Sequence, residues 1–175
     1  LILGKPLGVG IYSAALKKDL LSAEQYAAMI AATTQLNTAG ADLADTAGVH
    51  AMTDITGFGL LGHLLELTRA SKVSARVELG RLPLLPGVDV LAQGGHVTGA
   101  SQRNWASYGS EVQLAEGIAD WQRALLTDPQ TSGGLLVSCA PEARDAVLET
   151  FRRHGFAQAT EIGRLAAGSN VSIVA

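Results

Sequence analysis

Thr53-Asp54-Ile55-Thr56-Gly57-Phe58-Gly59-Leu60-Leu61-Gly62-His63 sets a carboxylate where an apolar strand ends, then a glycine-rich turn, then the first turn of a helix. The free N–H groups and the dipole at a helix N-terminus attract anions, so the segment has the layout of a phosphate site. Asp54 by itself would repel phosphate. A divalent cation between the two removes the conflict, and Mg²⁺, usually held by one or two carboxylates plus phosphate oxygens, suits the position. The same residues leave a second reading equally open, in which Asp54 caps the helix and the glycines allow close packing. A third reading takes Gly57, Gly59 and Gly62 as a literal G-x-G-x-x-G, with Glu78 roughly 20 residues on, where a dinucleotide-binding domain keeps its ribose-binding acid. Ala-rich helices ahead of the first strand, the lack of repeated βαβ units after Glu78, and the charge of Asp54 beside a pyrophosphate all weigh against that third reading.

Outward from this segment, residues 49–55 have the pattern of a strand and residues 58–71 of a helix whose Phe58, Leu61, Leu64, Leu65 and Leu67 cover most of its circumference. Residues 73–79 alternate Val73, Ala75, Val77 and Leu79 against Ser74, Arg76 and Glu78, a strand with one wet face. Upstream, residues 2–10 are apolar but broken by Gly4, Pro6, Gly8 and Gly10, which predicts an edge strand or a loop. Ser22 and Gln25 have capping-box spacing, with Tyr26, Met29, Ile30 and Thr33 on one face, and a second helix over 36–46 carries Leu36, Ala39 and Leu43. Downstream, a helix over 88–93 ends at Gly94-Gly95, and residues 96–113 show no period and are expected as a long loop. Ile118, Trp121 and Leu125 restore helical spacing, residues 127–134 form a polar turn, and residues 135–139 a buried strand. Pro141 opens a helix closed by Gly155, and two short strands follow at 161–165 and 171–174. These elements predict one α+β domain over residues 1–175, layered, with helices packed on a mixed or antiparallel sheet.

Composition narrows the function classes. With 175 residues, 47% of them hydrophobic and 17% charged, the chain can bury a sizeable core and is not disordered. A net charge of -3 offers no cationic surface for nucleic acid, and no apolar run reaches the roughly 18 residues of a membrane helix. The single Cys139 excludes an internal disulfide and a Cys-based zinc cluster; in Leu-Leu-Val-Ser-Cys-Ala it is expected as inert packing. The four histidines do not form a metal set: His50 and His63 are expected in the core or at its boundary, His96 in a loop, His154 at a helix end. No Ser/His/Asp arrangement and no P-loop is visible. Two polar clusters, residues 99–109 and 128–134, could bond a ligand or simply stabilise their own turns. The opening at Leu1, without a basic n-region, is expected as the middle of a longer protein.

Residues 50–64, from His50 through Asp54 and His63 to Leu64, resemble the signature of the selenide, water dikinase (selenophosphate synthetase) family, in its half formed by the C-terminal domain of the aminoimidazole ribonucleotide synthetase superfamily. Lys5-Pro6-Leu7-Gly8-Val9-Gly10, Asn104 through Ser107-Tyr108-Gly109, and Asp128-Pro129-Gln130-Thr131-Ser132-Gly133-Gly134 occur in the order and spacing of that family, so the likeness covers nearly the whole chain. Met52 stands where the family usually has Cys, and Thr98-Gly99-Ala100-Ser101 where it has Pro-Gly-Gly-Thr. The resemblance implies an enzyme that turns ATP, selenide and water into selenophosphate, AMP and phosphate, with Mg²⁺ as cofactor, as a cytoplasmic homodimer when full length. It implies that Asp54 binds Mg²⁺, and that the reactive Cys or selenocysteine, its Lys partner and the other metal-binding aspartates lie in an N-terminal ATP-binding domain absent from this chain. Thr53, Thr56, Gly57, Gly59, Asn104, Asp128, Thr131 and Ser132 are the expected nucleotide- or phosphate-facing residues. The ribonucleotide cyclo-ligase, thiamine-phosphate kinase and hydrogenase-maturation dehydratase share the superfamily fold and are second choices.

Overall fold

The alternation of the Leu-Leu-Val segment just before Cys139 divides the interior of the protein. In the computed structural model, which describes all 175 residues, Leu136 points into a core that it shares with Leu3, Ile55, Leu60 and Leu64, while Leu135 and Val137 point into a second with Ile2, Leu43, Val147 and Phe151. That strand, β5 (Leu135–Cys139), lies in a four-stranded antiparallel sheet with β1 (Ile2–Leu3), β2 (Val49–Asp54) and β6 (Thr160–Glu161), in the order β2-β5-β1-β6. A second sheet has the order β4-β8-β3-β7, from β3 (Val73–Glu78), β4 (Val112–Leu114), β7 (Gly163–Ala167) and β8 (Val171–Val174). It is mixed: β7 runs antiparallel to β3, while β8 runs parallel to β3 and β4. The expected α+β layering is therefore present, with one sheet of each expected kind. No helix is long and apolar enough to cross a membrane.

Helix α4 (Gly59–Ser71) packs against β2, β3 and β8, and its Leu60, Leu61 and Leu64 are fully buried. Helices α3 (Ala39–Ala44) and α8 (Arg144–Arg153) cover the other face of the first sheet. A third core joins α1 (Val9–Leu16), α2 (Ala23–Thr34), α5 (Val88–Gln93) and α7 (Asp120–Leu126) through Val9, Tyr12, Met29, Val88 and Leu125.

Several expectations change. The helix expected over 36–46 is Ala39–Ala44 and leaves Leu36 72% exposed, and the strand expected over 161–165 is split between β6 and β7 in different sheets. Residues 2–3 are an interior strand between β5 and β6, not an edge. Gly4 breaks the hydrophobic run because a Cβ there would meet the Phe151 ring at 2.6 Å, yet its N–H still bonds Leu135 O at 2.9 Å. Residues 99–108 are a helix, α6 (Gly99–Tyr108), rather than a loop; Thr98 Oγ1 accepts from Ser101 N at 3.0 Å and starts it. Its buried positions are Ser101, Asn104 and Tyr108, helical in spacing but too polar to register as an apolar stripe. On α2 the Ser22–Gln25 capping box forms, but Met29 alone is buried, and Tyr26 and Ile30 are 46% and 41% exposed. His50 sits at a register shift between Val49 and Ala51 and faces solvent, as a bulge re-aims the side chain it carries.

Candidate functional site

Asp54 is the last residue of β2 and pairs across the sheet with Leu135, so the turn that feeds β5 lies against the glycine turn that leaves β2. The two turns are tied through backbone: Ile55 N donates to Gly134 O at 2.9 Å and Gln130 N to Thr56 O at 3.0 Å. Contact is close enough that a Cβ on Gly133 would overlap the Ile55 carbonyl oxygen, and one on Gly59 (φ +68°) would lie 2.6 Å from the Thr127 carbonyl carbon. Asn104 reaches in from α6 and donates from Nδ2 to Gly57 O at 2.9 Å and to Thr127 O at 3.0 Å. Tyr108, also on α6, donates its hydroxyl to Phe58 O, and burial raises the pKa of that phenol. Three stretches far apart in sequence thus meet at one place.

The expected ligand-facing residues sort by exposure. Asp54 is exposed, and its carboxylate has no hydrogen-bond or ion-pair partner. Helix α4 has Phe58 at its N-cap and no side-chain capping bond, so Asp54 does not cap it. Gly57 is exposed with open space beside its Cα, Thr53 and Thr56 are half-buried, and Thr131 and Ser132 are exposed on the neighbouring turn. Ser132 adopts a left-handed conformation, and its carbonyl accepts from Lys5 Nζ at 2.6 Å. Gly59 and Asn104 are buried and occupied in joining the turns.

Asp128 is sealed inside at 0% exposure. Its Oδ2 accepts from Gly10 N at 2.9 Å and Ile11 N at 3.2 Å, while Gln130 Oε1 accepts from Gly8 N and Val9 N, both at 3.1 Å. The four opening N–H groups of α1 are therefore stoppered by two side chains of the 128–134 turn, a role that the residue pattern alone did not suggest. Lys5 is equally buried, donating to Ala32 O, Gln35 O and Ser132 O, and desolvation lowers its pKa. Of the two helix N-termini near the site, only that of α4 lacks a side-chain stopper.

Desolvation pushes the Asp128 carboxyl up to about 7, against the pull of the Ile11 N–H, the Gln130 amide and the Gly10 N–H. An acid kept protonated in the fold but ionised in the open chain makes folding take up a proton. Stability then falls as pH rises from the ordinary carboxylate range to about 7, and stays low above it. Asp128→Asn keeps an oxygen for Gly10 and Ile11 and removes the charge. Thermal melts at pH 5 and pH 8 should show the variant losing less stability between the two than the parent; equal losses would contradict the assignment.

The sequence showed no hydroxyl–imidazole–carboxylate arrangement, but the structure has one. Thr56 Oγ1 lies 3.0 Å from His63 Nε2, and His63 Nδ1 lies 3.0 Å from Glu66 Oε2. The one available signal was the spacing of His63 and Glu66, one helical turn apart on α4. Cys139 is half-buried packing, and burial raises its thiol pKa.

No three His, Cys, Asp or Glu side chains come together as a metal site. A free carboxylate at an exposed strand end nevertheless fits a hard cation whose remaining ligands are supplied by other oxygens. A cleft of about 800 Å³ lies elsewhere: it is lined by His50 and Cys139, at the end of β2 and β5 opposite Asp54, and there Arg144 and Arg164 flank Glu161 and neutralise its charge. The dinucleotide reading fails on topology, because β2 and β3 belong to different sheets and β2 pairs antiparallel with β5.

Comparison with known proteins gives a consistent picture. The family model described as AIR synthase related protein, C-terminal domain, matches residues 1–175. A selenide, water dikinase of Pseudomonas straminea is 62% identical over 169 residues, covering 97% of this chain and 47% of that protein. One of Rhizobium meliloti is 55% identical over 169 residues, covering 97% and 48%. The chain thus spans about half the length of the curated relatives it matches. Among solved structures, E. coli HypE superposes with a TM-score of 0.70 at 20% identity, over 98% of this chain and 45% of that one. The thiamine-monophosphate kinase of Stenotrophomonas maltophilia gives 0.63 at 19%, over 98% and 48%. At these identities the two structures attest the fold.

Proposed function

The chain belongs to the family of AIR synthase related proteins, C-terminal domain, and from that premise we propose that it is the C-terminal half of a selenide, water dikinase, converting ATP, selenide and water into selenophosphate, AMP and phosphate. The identities of 62% and 55% to enzymes of that name support the choice within the family. The observation that carries the site assignment is the unpartnered, exposed Asp54 at the mouth of a glycine turn whose helix has no side-chain cap.

Phosphoryl transfer asks a protein for positioning and charge stabilisation more than for covalent work. Asp54 would hold Mg²⁺, which when bound neutralises phosphate charge. The bare backbone at Gly57 lets a phosphate approach, the α4 N-terminus favours its negative charge, and the Thr53 and Thr56 side chains border the same turn. Asn104 and Tyr108 hold the turn in place from behind. The nucleophile, the other carboxylates and most of the ATP site would come from a preceding domain, and the whole enzyme would work as a cytoplasmic homodimer.

Selenide-dependent release of AMP from ATP by the longer protein tests this reading; its absence in a folded, metal-supplied preparation would overturn it. A second expectation concerns the 175-residue chain alone. One carboxylate and one helix end are too few ligands, so calorimetry should show Mg·ATP binding weaker than about 1 mM. A micromolar dissociation constant would place the nucleotide site within this chain.

A further inference from the structure

We infer that His63 and Glu66 are positioning residues that fix the hydroxyl proton of Thr56, so that its oxygen meets whatever is bound at the Asp54 turn as a pure hydrogen-bond acceptor. The inference deepens the reading given under Proposed function and rests on it for its kinetic consequence.

Thr56 has little freedom. Its carbonyl accepts from both Gly59 N, at 3.1 Å, and Gln130 N, at 3.0 Å, so its backbone is clamped between the two turns. Its hydroxyl carries one proton and two lone pairs. Glu66 Oε2, at 3.0 Å from His63 Nδ1, can only accept, which places the ring proton on Nδ1 and leaves a lone pair on Nε2 of the neutral imidazole. Thr56 Oγ1, 3.0 Å from that nitrogen, must then be the donor. Packing holds the ring in this orientation, since the His63 side chain is only 11% exposed and Phe58 lies against it with ring centroids 5.9 Å apart.

A hydroxyl whose proton is already committed has only lone pairs for the turn. Such an oxygen receives a hydrogen bond from water but cannot donate one to a phosphate oxygen. Two residues from a free carboxylate, this suits a water in the shell of a cation held at Asp54, which donates its hydrogens outward. Were the tautomer reversed, the Nε2–H would take one lone pair of the Thr56 hydroxyl and leave its proton free to donate to phosphate.

The first test reads the tautomer directly, without turnover. Long-range ¹H–¹⁵N spectra of the histidine-labelled chain at pH 8 should show His63 protonated on Nδ1, and Glu66→Ala should convert it to a mixture. An Nε2-protonated ring in the parent, or a spectrum unmoved by Glu66→Ala, would overturn the inference. The second test uses the longer protein. The Glu66 side chain is 57% exposed and bonds only His63, so Glu66→Ala should leave the melting temperature unchanged while lowering kcat about tenfold at constant KM for ATP. Thr56→Val should lose as much or more, and Thr56→Ser should restore most of it. Adding Glu66→Ala to Thr56→Val should cost nothing further, because the two act through one hydroxyl. A full tenfold further loss in the double variant would mean that Glu66 acts independently, and would overturn the inference. An unmodified protein that forms no AMP overturns the dikinase reading instead, and the spectra still decide the tautomer.

Discussion

Asp54→Asn in the longer protein is expected to reduce selenide-dependent AMP formation by about 10²-fold or more, with the melting temperature unchanged within about 2 °C. The two halves of the expectation come from the same observation. The Asp54 carboxylate is exposed and contacts no donor, so nothing in the fold depends on its charge, and exposed substitutions away from special features change stability by about 0.5 kcal/mol at most. Asparagine keeps the shape but supplies a neutral oxygen, a poor ligand for a hard divalent cation. Steady-state AMP release and a thermal melt on the same preparation check both halves. Normal turnover would remove the metal role; a large fall in melting temperature would mean that Asp54 has a structural partner.

Gly133→Ala should be the most damaging single methyl in the chain. The added Cβ would overlap the Ile55 carbonyl oxygen and lie 2.9 Å from Gln130 Cβ. Backbone cannot swing aside as a flexible side chain can. Relief requires prying apart the two turns joined by the Ile55–Gly134 and Gln130–Thr56 hydrogen bonds, and these hold Asp54 in register with Leu135. Overpacking a tight site costs about 1–3 kcal/mol, and the lost backbone bonds add to it. A fall in melting temperature of about 10 °C is expected at this chain length, together with loss of turnover in the longer protein. Gly57→Ala is the control, because a Cβ there meets nothing within 4 Å; it should melt like the parent. Equal melting temperatures of the two variants would refute the packing argument.

What could be read in the sequence followed apolar periodicity. The strand ending at Asp54, the helix over Gly59–Ser71 and the alternating strand Val73–Glu78 were legible because one face of each meets an apolar core. Helix α6 was not, because its inward residues, Ser101, Asn104 and Tyr108, are buried for their hydrogen bonds rather than for apolar area. The interior place of strand β1 was hidden for a related reason: Gly4 looks like a break in a strand until the Phe151 ring that needs its missing Cβ is in view. At the site, the motif placed Asp54, Gly57 and Thr56 correctly at the turn, since strand, glycine and helix are contiguous there. Asp128 looked like a ligand, and its use with Gln130 to stopper α1 went unseen, because a polar turn and a helix stopper have the same composition. Only the fold brings α1 against them, since Gly10 and Asp128 are 118 positions apart in the chain. The Thr56–His63–Glu66 chain was nearly as silent, since on a leucine-rich helix only the one-turn spacing of His63 and Glu66 hints at it and nothing marks Thr56 as a partner.

The most direct measurement is anomalous diffraction from crystals of the longer protein grown with Mn²⁺ and a non-hydrolysable ATP analogue. A manganese peak within direct coordination distance of an Asp54 carboxylate oxygen, beside phosphate at Gly57, is the predicted result. Manganese ligated entirely by other carboxylates, with Asp54 still facing bulk solvent, would contradict it.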